Sequence, residues 1–421
     1  MPFDRAAALS WYARNRERSR ALFDMLPEDV YYRRPIELRH PVVFYDGHLP
    51  GFSFNTLVKK ALGRPSIDPR LESLFARGID PHESRAGTEA EAASWPSKEV
   101  VRAFVQEADA RVVHALTHVD LERPGDPLLD RADAVFTILE HEAMHQETLL
   151  YMWHRLPFSQ KRRPQDYTPR TEAPPPPDEW CDVPSGVATL GADRASLVFG
   201  WDNELPSCVA GVPAFQIQRH NVTNARFMEF VDAGGYADPR WWRPDDWRWV
   251  QSEKLSHPLF WERVDNSWYW RGMFELIPLP AAWPVYVSHA EASAFARWRA
   301  CRLPTEAEYQ RAAVGSLPGV CDFESWDPEP AGTHANGASE YGVEDLVGNG
   351  WEWTSSTFGP FPGFRASASY PEYSADFFDG EHFVMKGASP ATARELLRPS
   401  FRNWFRPSYP YIYATLRLVE A

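Results

Sequence analysis

Between about Ser10 and Leu156 hydrophobic positions recur with a helical period, with few glycine or proline breakers inside the two longest segments. In SKEVVRAFVQEADARVVHALTHV, residues Val100, Val101, Phe104, Ala108, Val112 and Leu116 form one apolar stripe, which needs partner helices to cover it. The segment LLDRADAVFTILEHEAMHQETLLYMWHRL is similarly free of breakers, so the first part of the chain is expected to be an antiparallel helical bundle. Pro157 stops the last helix, and PFSQKRRPQDYTPRTEAPPPPDEW favours extended polyproline conformation over packed structure. Beyond Asp182 the pattern breaks into short pieces such as GVATLGA and VPAFQIQRHNVT, bounded by Gly, Pro, Asn and Asp, with helical pieces such as NARFMEFVDAG between them. The expected division is an all-α bundle over 1–158, a proline-rich linker over 159–181 and an α+β domain over 182–421. A length of 421 residues, beyond what one core usually organises, agrees with two domains.

Charge narrows the partners. Lys and Arg number 44 against 58 Asp and Glu, a net charge of −14, which opposes attraction to nucleic acid or anionic lipid. MPFDRAAALSWYARNRERSR lacks the apolar core of a signal peptide, and no later stretch has the ~18 apolar residues needed to span a bilayer. A cytoplasmic location, with neither nucleic acid nor membrane as partner, is the expectation. The four cysteines, Cys181, Cys208, Cys301 and Cys321, show no CxxC spacing and are expected to be buried free thiols rather than disulfides or metal ligands. The 18 Trp, 16 Tyr and 25 Phe gather in the second half and suit a compact, loop-rich domain there.

LEHEAMHQETLLY carries the chemistry. On a helix, residues four apart share a face, so His141 and His145 can present two imidazoles to one ion. HEAMH also fits the pattern of zinc metalloproteases, in which Glu142 would be the general base. That reading lacks a third ligand, since position 151 is Tyr151 and the acidic residues after Glu147 fall in the proline-rich stretch. An upstream apolar stretch, IELRHPVVFYDGHLPGFSF, offers His40 and His48, and bundle sites draw ligands from facing helices. Three neutral imidazoles suit zinc or redox-active iron equally.

RLPTEAEYQRAA and YGVEDLVGNGWEWTSS, with VPSGVATLGA and HNVTNARFMEFV, resemble the formylglycine-generating-enzyme (C-type-lectin-like) fold. Those enzymes use a cysteine pair near the end of the fold, whereas VMKGASPATARELLRPSFRNWFRP contains no cysteine, so that activity is not expected here. A helical domain with HxxxHxE, a proline-rich linker and this fold, in that order, resembles the non-heme iron sulfoxide synthases of ergothioneine and ovothiol biosynthesis. The resemblance implies a DinB-like bundle holding Fe(II) through His141, His145 and His40, with His40 favoured over His48 because LRHPVVFYDGH is similar to the family's first-ligand segment. It implies O2 as co-substrate and carbon–sulfur bond formation at imidazole C2 of hercynine, the trimethylated histidine. Glu142 then becomes a solvated carboxylate or one that orients an imidazole. Gln146 is expected to hydrogen-bond the substrate imidazole, Asn403 and Trp404 of SFRNWFRP to form the hercynine pocket, and Tyr370 or Tyr373 of SASYPEYSADFF to donate a proton near iron.

The chain leaves the family pattern at the sulfur donor. Members that take γ-glutamylcysteine follow Arg-Asn-Trp with an aspartate and, four residues later, an arginine; Phe405 and Tyr409 stand here. The exchange removes the partners of a charged donor and leaves an aromatic wall suited to a sugar face, so a selenosugar donor, as in selenoneine synthase, is the favoured expectation. Cysteine or γ-glutamylcysteine as donor is the alternative, and the histidine acceptor of the ovothiol branch remains open. From other classes, a zinc hydrolase and a non-enzymatic small-ligand binder stay in play.

Overall fold

The computed structural model describes residues 3–76 and 95–420. The chain divides into two compact units, Met1–Pro164 together with Ser367–Pro371, and Gln165–Ala366 together with Glu372–Ala421.

The first unit is helical. Helix α1 (Arg5–Asp24) starts at Asp4, whose side chain accepts from the Ala7 N–H. Helix α2 (Val42–Ser53) runs directly into a π-helical segment, Phe54–Ala61, and the short α3 (Pro69–Leu74) follows. Two long helices follow among the described residues, α4 (Lys98–His118), capped by Ser97, and α5 (Asp133–Arg155). On α4 the predicted stripe is buried at Val101, Phe104, Ala108, Val112 and Leu116, but Val100 is 46% exposed. A helix turns 100° per residue, so Val100 stands beside the stripe rather than in it. Helix α5 is buried on almost every side, including Glu140, His141, Glu142, Gln146 and Glu147. A central helix carrying that many polar groups must find partners for them within the bundle. Among the described residues no helix is long and apolar enough to cross a membrane.

The second unit is built on short strands. One four-stranded sheet orders Trp180–Val183, Phe215–Gln218, Val419–Glu420 and Cys301–Arg302; the other orders Asn403–Phe405, Phe383–Ala388, Gly350–Thr357 and Ala414–Thr415. The conspicuous motifs have local jobs. In RLPTEAEYQRAA, Thr305 and Glu308 form a reciprocal capping box that starts the helix Glu306–Ala312. In GNGWEWTSS, Glu352 pairs with Arg417 at 2.8 Å, both side chains fully buried, while Arg417 also donates to the carbonyls of Gln218, Arg219 and Glu344. The proline-rich stretch from Gln165 onward is largely exposed but is docked on the second unit at two points. Tyr167 is buried and donates to Asp327 Oδ2 at 2.5 Å, and Trp283 Nε1 donates to the Arg170 carbonyl at 2.6 Å. One large aromatic and one captured carbonyl are enough to dock a segment whose composition alone reads as a linker.

Candidate functional site

Three imidazoles meet inside the first unit. His141 and His145 project from one face of α5, and His48 comes from α2, with ring centroids 5.1 Å (His48–His141), 4.9 Å (His48–His145) and 4.3 Å (His141–His145) apart. Each offers a nitrogen, all within 4.8 Å of one another. His40 is not in this group, which corrects the expected ligand set. Pro41 is the N-cap of α2, so His40 lies before the helix, at a position where a following proline disfavours helical backbone, and its ring stacks on Phe44 at 4.0 Å. His48, seven residues into the helix, is carried inward.

The hydrogen bonds of the trio fix which nitrogens point at the centre. His48 Nδ1–H donates to the Phe75 carbonyl at 2.7 Å, and His145 Nδ1–H donates to the His141 carbonyl at 3.1 Å. A carbonyl only accepts, so both rings carry the proton on Nδ1 and present the Nε2 lone pair. His48 Nε2 and both nitrogens of His141 are buried with no hydrogen-bond partner. Burial holds His48 and His141 well below the usual imidazole range and His145 down to about 4. Neutral imidazoles with converging, unsatisfied lone pairs are what a divalent metal requires, and the carbonyl bonds behind two of them fix ring orientation. Phe52, one helical turn past His48, lies face to face with His141 at 3.5 Å and 8° and holds that ring in plane. In sequence His48 stood second to His40 and Phe52 was not singled out; the clue was Phe44, His48 and Phe52 at four-residue spacing, which makes them one face of α2.

The next positions on α5 turn toward α1. Glu142 is fully buried, and its Oε1 accepts from Arg16 Nη1 at 2.8 Å and Ser19 Oγ at 2.7 Å. It is neither solvated nor directed at an imidazole, and a carboxylate held in this pair is not placed to act as the base of a hydrolase. Gln146, also fully buried, donates through Nε2 to the Asn15 carbonyl at 2.9 Å and Ser19 Oγ at 3.1 Å, and its Oε1 accepts from Arg18 at 3.2 Å. Its amide is committed to α1, so the expected contact with a substrate imidazole is not what this geometry provides. One residue of advance from His145 rotates the side chain 100° away.

Tyr370 and Tyr373 part company. Tyr370 belongs to the first unit, its ring 5.1 Å from Phe52 and 6.0 Å from His141. Tyr373 belongs to the second, where it stacks on Trp201 at 3.9 Å and meets Trp404 edge-on at 5.2 Å. Trp404 in turn stacks on Phe358 at 4.2 Å and 5°, and Asn403 Oδ1 accepts from the Trp404 N–H. Phe405 and Tyr409 stack on each other at 5.0 Å and 12°, brought together by a turn in which the Tyr409 N–H donates to the Arg406 carbonyl.

Residues 165–325 and 316–421 match the Sulfatase-modifying factor enzyme 1-like domain, and residues 12–149 match the DinB superfamily. A hercynine oxygenase of Mycolicibacterium thermoresistibile is 33% identical over 389 residues, covering 84% of this chain and 81% of that protein. The hercynine oxygenase of Mycolicibacterium smegmatis is 39% identical over 259 residues, a match that spans 56% of this chain and only 60% of that protein's length. The ergothioneine biosynthesis protein 1 of Schizosaccharomyces pombe is 27% identical, over 94% of this chain and 54% of that protein. With a bundle and a sulfatase-modifying-factor-like domain matched in that order, and a relative aligned over most of its own length, the chain belongs to the hercynine oxygenase family.

Proposed function

We propose that this chain is an iron- and O2-dependent enzyme that joins a selenol or thiol donor to C2 of the hercynine imidazole, with a selenosugar as the favoured donor. The observation that carries the reading is the trio of neutral imidazoles, His48 and His141 buried with unsatisfied nitrogens and His145 half-buried beside them, next to the Tyr370 ring, in a chain of the hercynine oxygenase family. His48, His141 and His145 would hold the metal, in place of a set containing His40. A ferrous ion so held supplies open coordination positions and the redox chemistry that makes O2 reactive. In the overall change the C2–H bond and the donor's Se–H or S–H bond are broken, and the carbon–chalcogen bond forms. O2 takes up four electrons when the coupled product leaves as a sulfoxide or selenoxide with one water, one oxygen atom going to the chalcogen and the other to the water.

The residues of the chain supply placement and protons. Tyr370, whose ring lies 6.0 Å from that of His141, is assigned the proton-donating role, and Tyr373 is assigned to packing on Trp201. Asn403 and the face of Trp404 are assigned to the carboxylate and trimethylammonium of hercynine. Phe405 and Tyr409, stacked as one aromatic wall without a carboxylate or guanidinium of their own, favour the face of a sugar over a charged amino-acid donor.

The test is product analysis by mass spectrometry after anaerobic Fe(II) loading. Hercynine and O2 are then supplied with selenoglucose, thioglucose, cysteine and γ-glutamylcysteine in competition. A hercynine–selenosugar adduct supports the reading. Efficient turnover of cysteine or γ-glutamylcysteine with the selenosugar ignored overturns the donor and leaves an ergothioneine-type enzyme. Zinc content with no iron-dependent O2 uptake overturns the reaction class.

A further inference from the structure

Ser367–Pro371 has no helix or strand of its own, yet it packs with the bundle as part of the first unit. Side chains on two helical elements hold it. Lys60 Nζ donates to the carbonyls of Ala368 at 2.8 Å and Ser369 at 3.2 Å. Ser369, itself buried, donates through Oγ to Asp133 Oδ1 at 2.7 Å. The Tyr370 N–H donates to Ser367 Oγ at 3.3 Å, and the following Pro371 disfavours helical backbone at Tyr370.

The anchors sit on the elements that carry the imidazoles. Lys60 lies in the π-helical segment that continues α2 beyond His48 and Phe52, and Asp133 is the first residue of α5, the helix of His141 and His145. π-Helical turns are rare and gather at functional sites, where the widened turn re-aims side chains. An exposed lysine reaching two successive carbonyls is not needed for the core, since the apolar residues of the same segment, Phe54, Leu57 and Val58, are already buried. What it does fix is the backbone immediately before Tyr370.

We propose that Lys60 and Asp133 are positioning residues, a two-point clamp on the 367–371 strap that sets the Tyr370 phenol against the three histidines. The inference rests on the role given to Tyr370 above. Loosening the clamp leaves the imidazoles in place and lets the phenol wander, so it affects kcat rather than metal retention or substrate KM. A displacement of about 1 Å of a reacting group costs on the order of 10²-fold in rate, and Lys60→Ala is expected to lower kcat by roughly 10-fold to 100-fold.

The experiment compares the iron-loaded wild-type chain with Lys60→Ala, Ser369→Ala, Tyr370→Phe and the double variant Lys60→Ala/Tyr370→Phe. Iron content, kcat, KM for hercynine and amide hydrogen exchange of the 367–371 peptide are measured, and Lys60→Arg serves as the rescue. The clamp predicts unchanged iron content, faster exchange confined to the strap, a fall in kcat restored by arginine, and no further fall when Lys60→Ala is added to Tyr370→Phe. Unchanged exchange in Lys60→Ala, or a loss of equal size with and without the phenol, overturns it. Wild-type turnover of Tyr370→Phe would instead sink the role of Tyr370 and the clamp with it. An impaired Tyr370→Phe beside a normal Lys60→Ala would sink the clamp alone.

Discussion

Replacing Glu142 separates the two chemistries that HEAMH can encode. In a hydrolase this carboxylate is the base, and Glu142→Gln silences the enzyme without disturbing the fold. Here it is the inner end of a buried pair, Arg16 Nη1 to Glu142 Oε1 at 2.8 Å, with side-chain exposures of 6% and 0%. Removing one member of a buried pair costs about 3–5 kcal/mol, because the other charge is stranded. Arg16 keeps Asp109 at 2.9 Å, so Glu142→Ala should fall near the lower end, about 3 kcal/mol. At roughly 2–4 °C per kcal/mol for a unit of this size, that is a fall in Tm of about 6–12 °C. Glu142→Gln keeps an oxygen for Arg16 and Ser19 and loses only the charge assistance, about 1 kcal/mol. Thermal unfolding followed by circular dichroism gives the Tm, and iron content and turnover are measured well below the transition. Both variants should retain iron and most activity there. A glutamine variant with wild-type Tm and turnover reduced by about 10²-fold or more would refute the argument and restore the carboxylate as a base.

Three further outcomes can be checked. His48→Ala and His145→Ala should each weaken iron retention by at least about 100-fold, whereas His40→Ala should leave the metal content near wild type; the reverse result would restore His40 as the ligand. Phe405→Asp combined with Tyr409→Arg, which installs the charged pair of the γ-glutamylcysteine users, should move donor preference toward that dipeptide, and an unchanged preference in the competition assay would remove these positions from the donor site. Lys386 is buried, donates to the carbonyls of Pro399 and Phe401 at 2.7 Å, and burial lowers its pKa from the ordinary 10.5 to about 8. Between those two values the unfolded chain binds more protons than the folded one, so Lys386 makes stability rise with pH across the window and lose that gain, of about 3 kcal/mol, as pH falls through 8. Denaturant titrations of wild type and Lys386→Met from pH 7 to 10 should differ in slope accordingly; parallel curves would show that the ammonium is not desolvated.

Much of the site was legible because α-helical periodicity is rigid. His141 and His145, four apart, had to share a face, and they do. The same rigidity misplaced Gln146: adjacency in sequence is a 100° rotation on a helix, and the amide faces α1. Choosing between His40 and His48 required knowing that α2 begins at Val42, after a proline that can end or start a helix, and composition does not decide this. The capping box of RLPTEAEY is local and therefore readable, while the docking of Tyr167 on Asp327 spans 160 residues and left no trace in a segment that looks like a spacer. Tyr370 and Tyr373 lie three residues apart in irregular chain, where no period says which ring goes where.

The strand Val419–Glu420 lies between Phe215–Gln218 and Cys301–Arg302 in its sheet. Ile217 must therefore wait for Val419, roughly 200 residues later, which at ~5–20 residues per second of synthesis is about 10–40 s. Through that interval Phe215–Gln218 has Trp180–Val183 on one side and an open edge on the other. An open edge on a nascent chain is a template for pairing with other chains. Slower elongation lengthens the exposure, so the yield of soluble protein should depend on translation speed and chaperone supply as much as on the final stability of the fold.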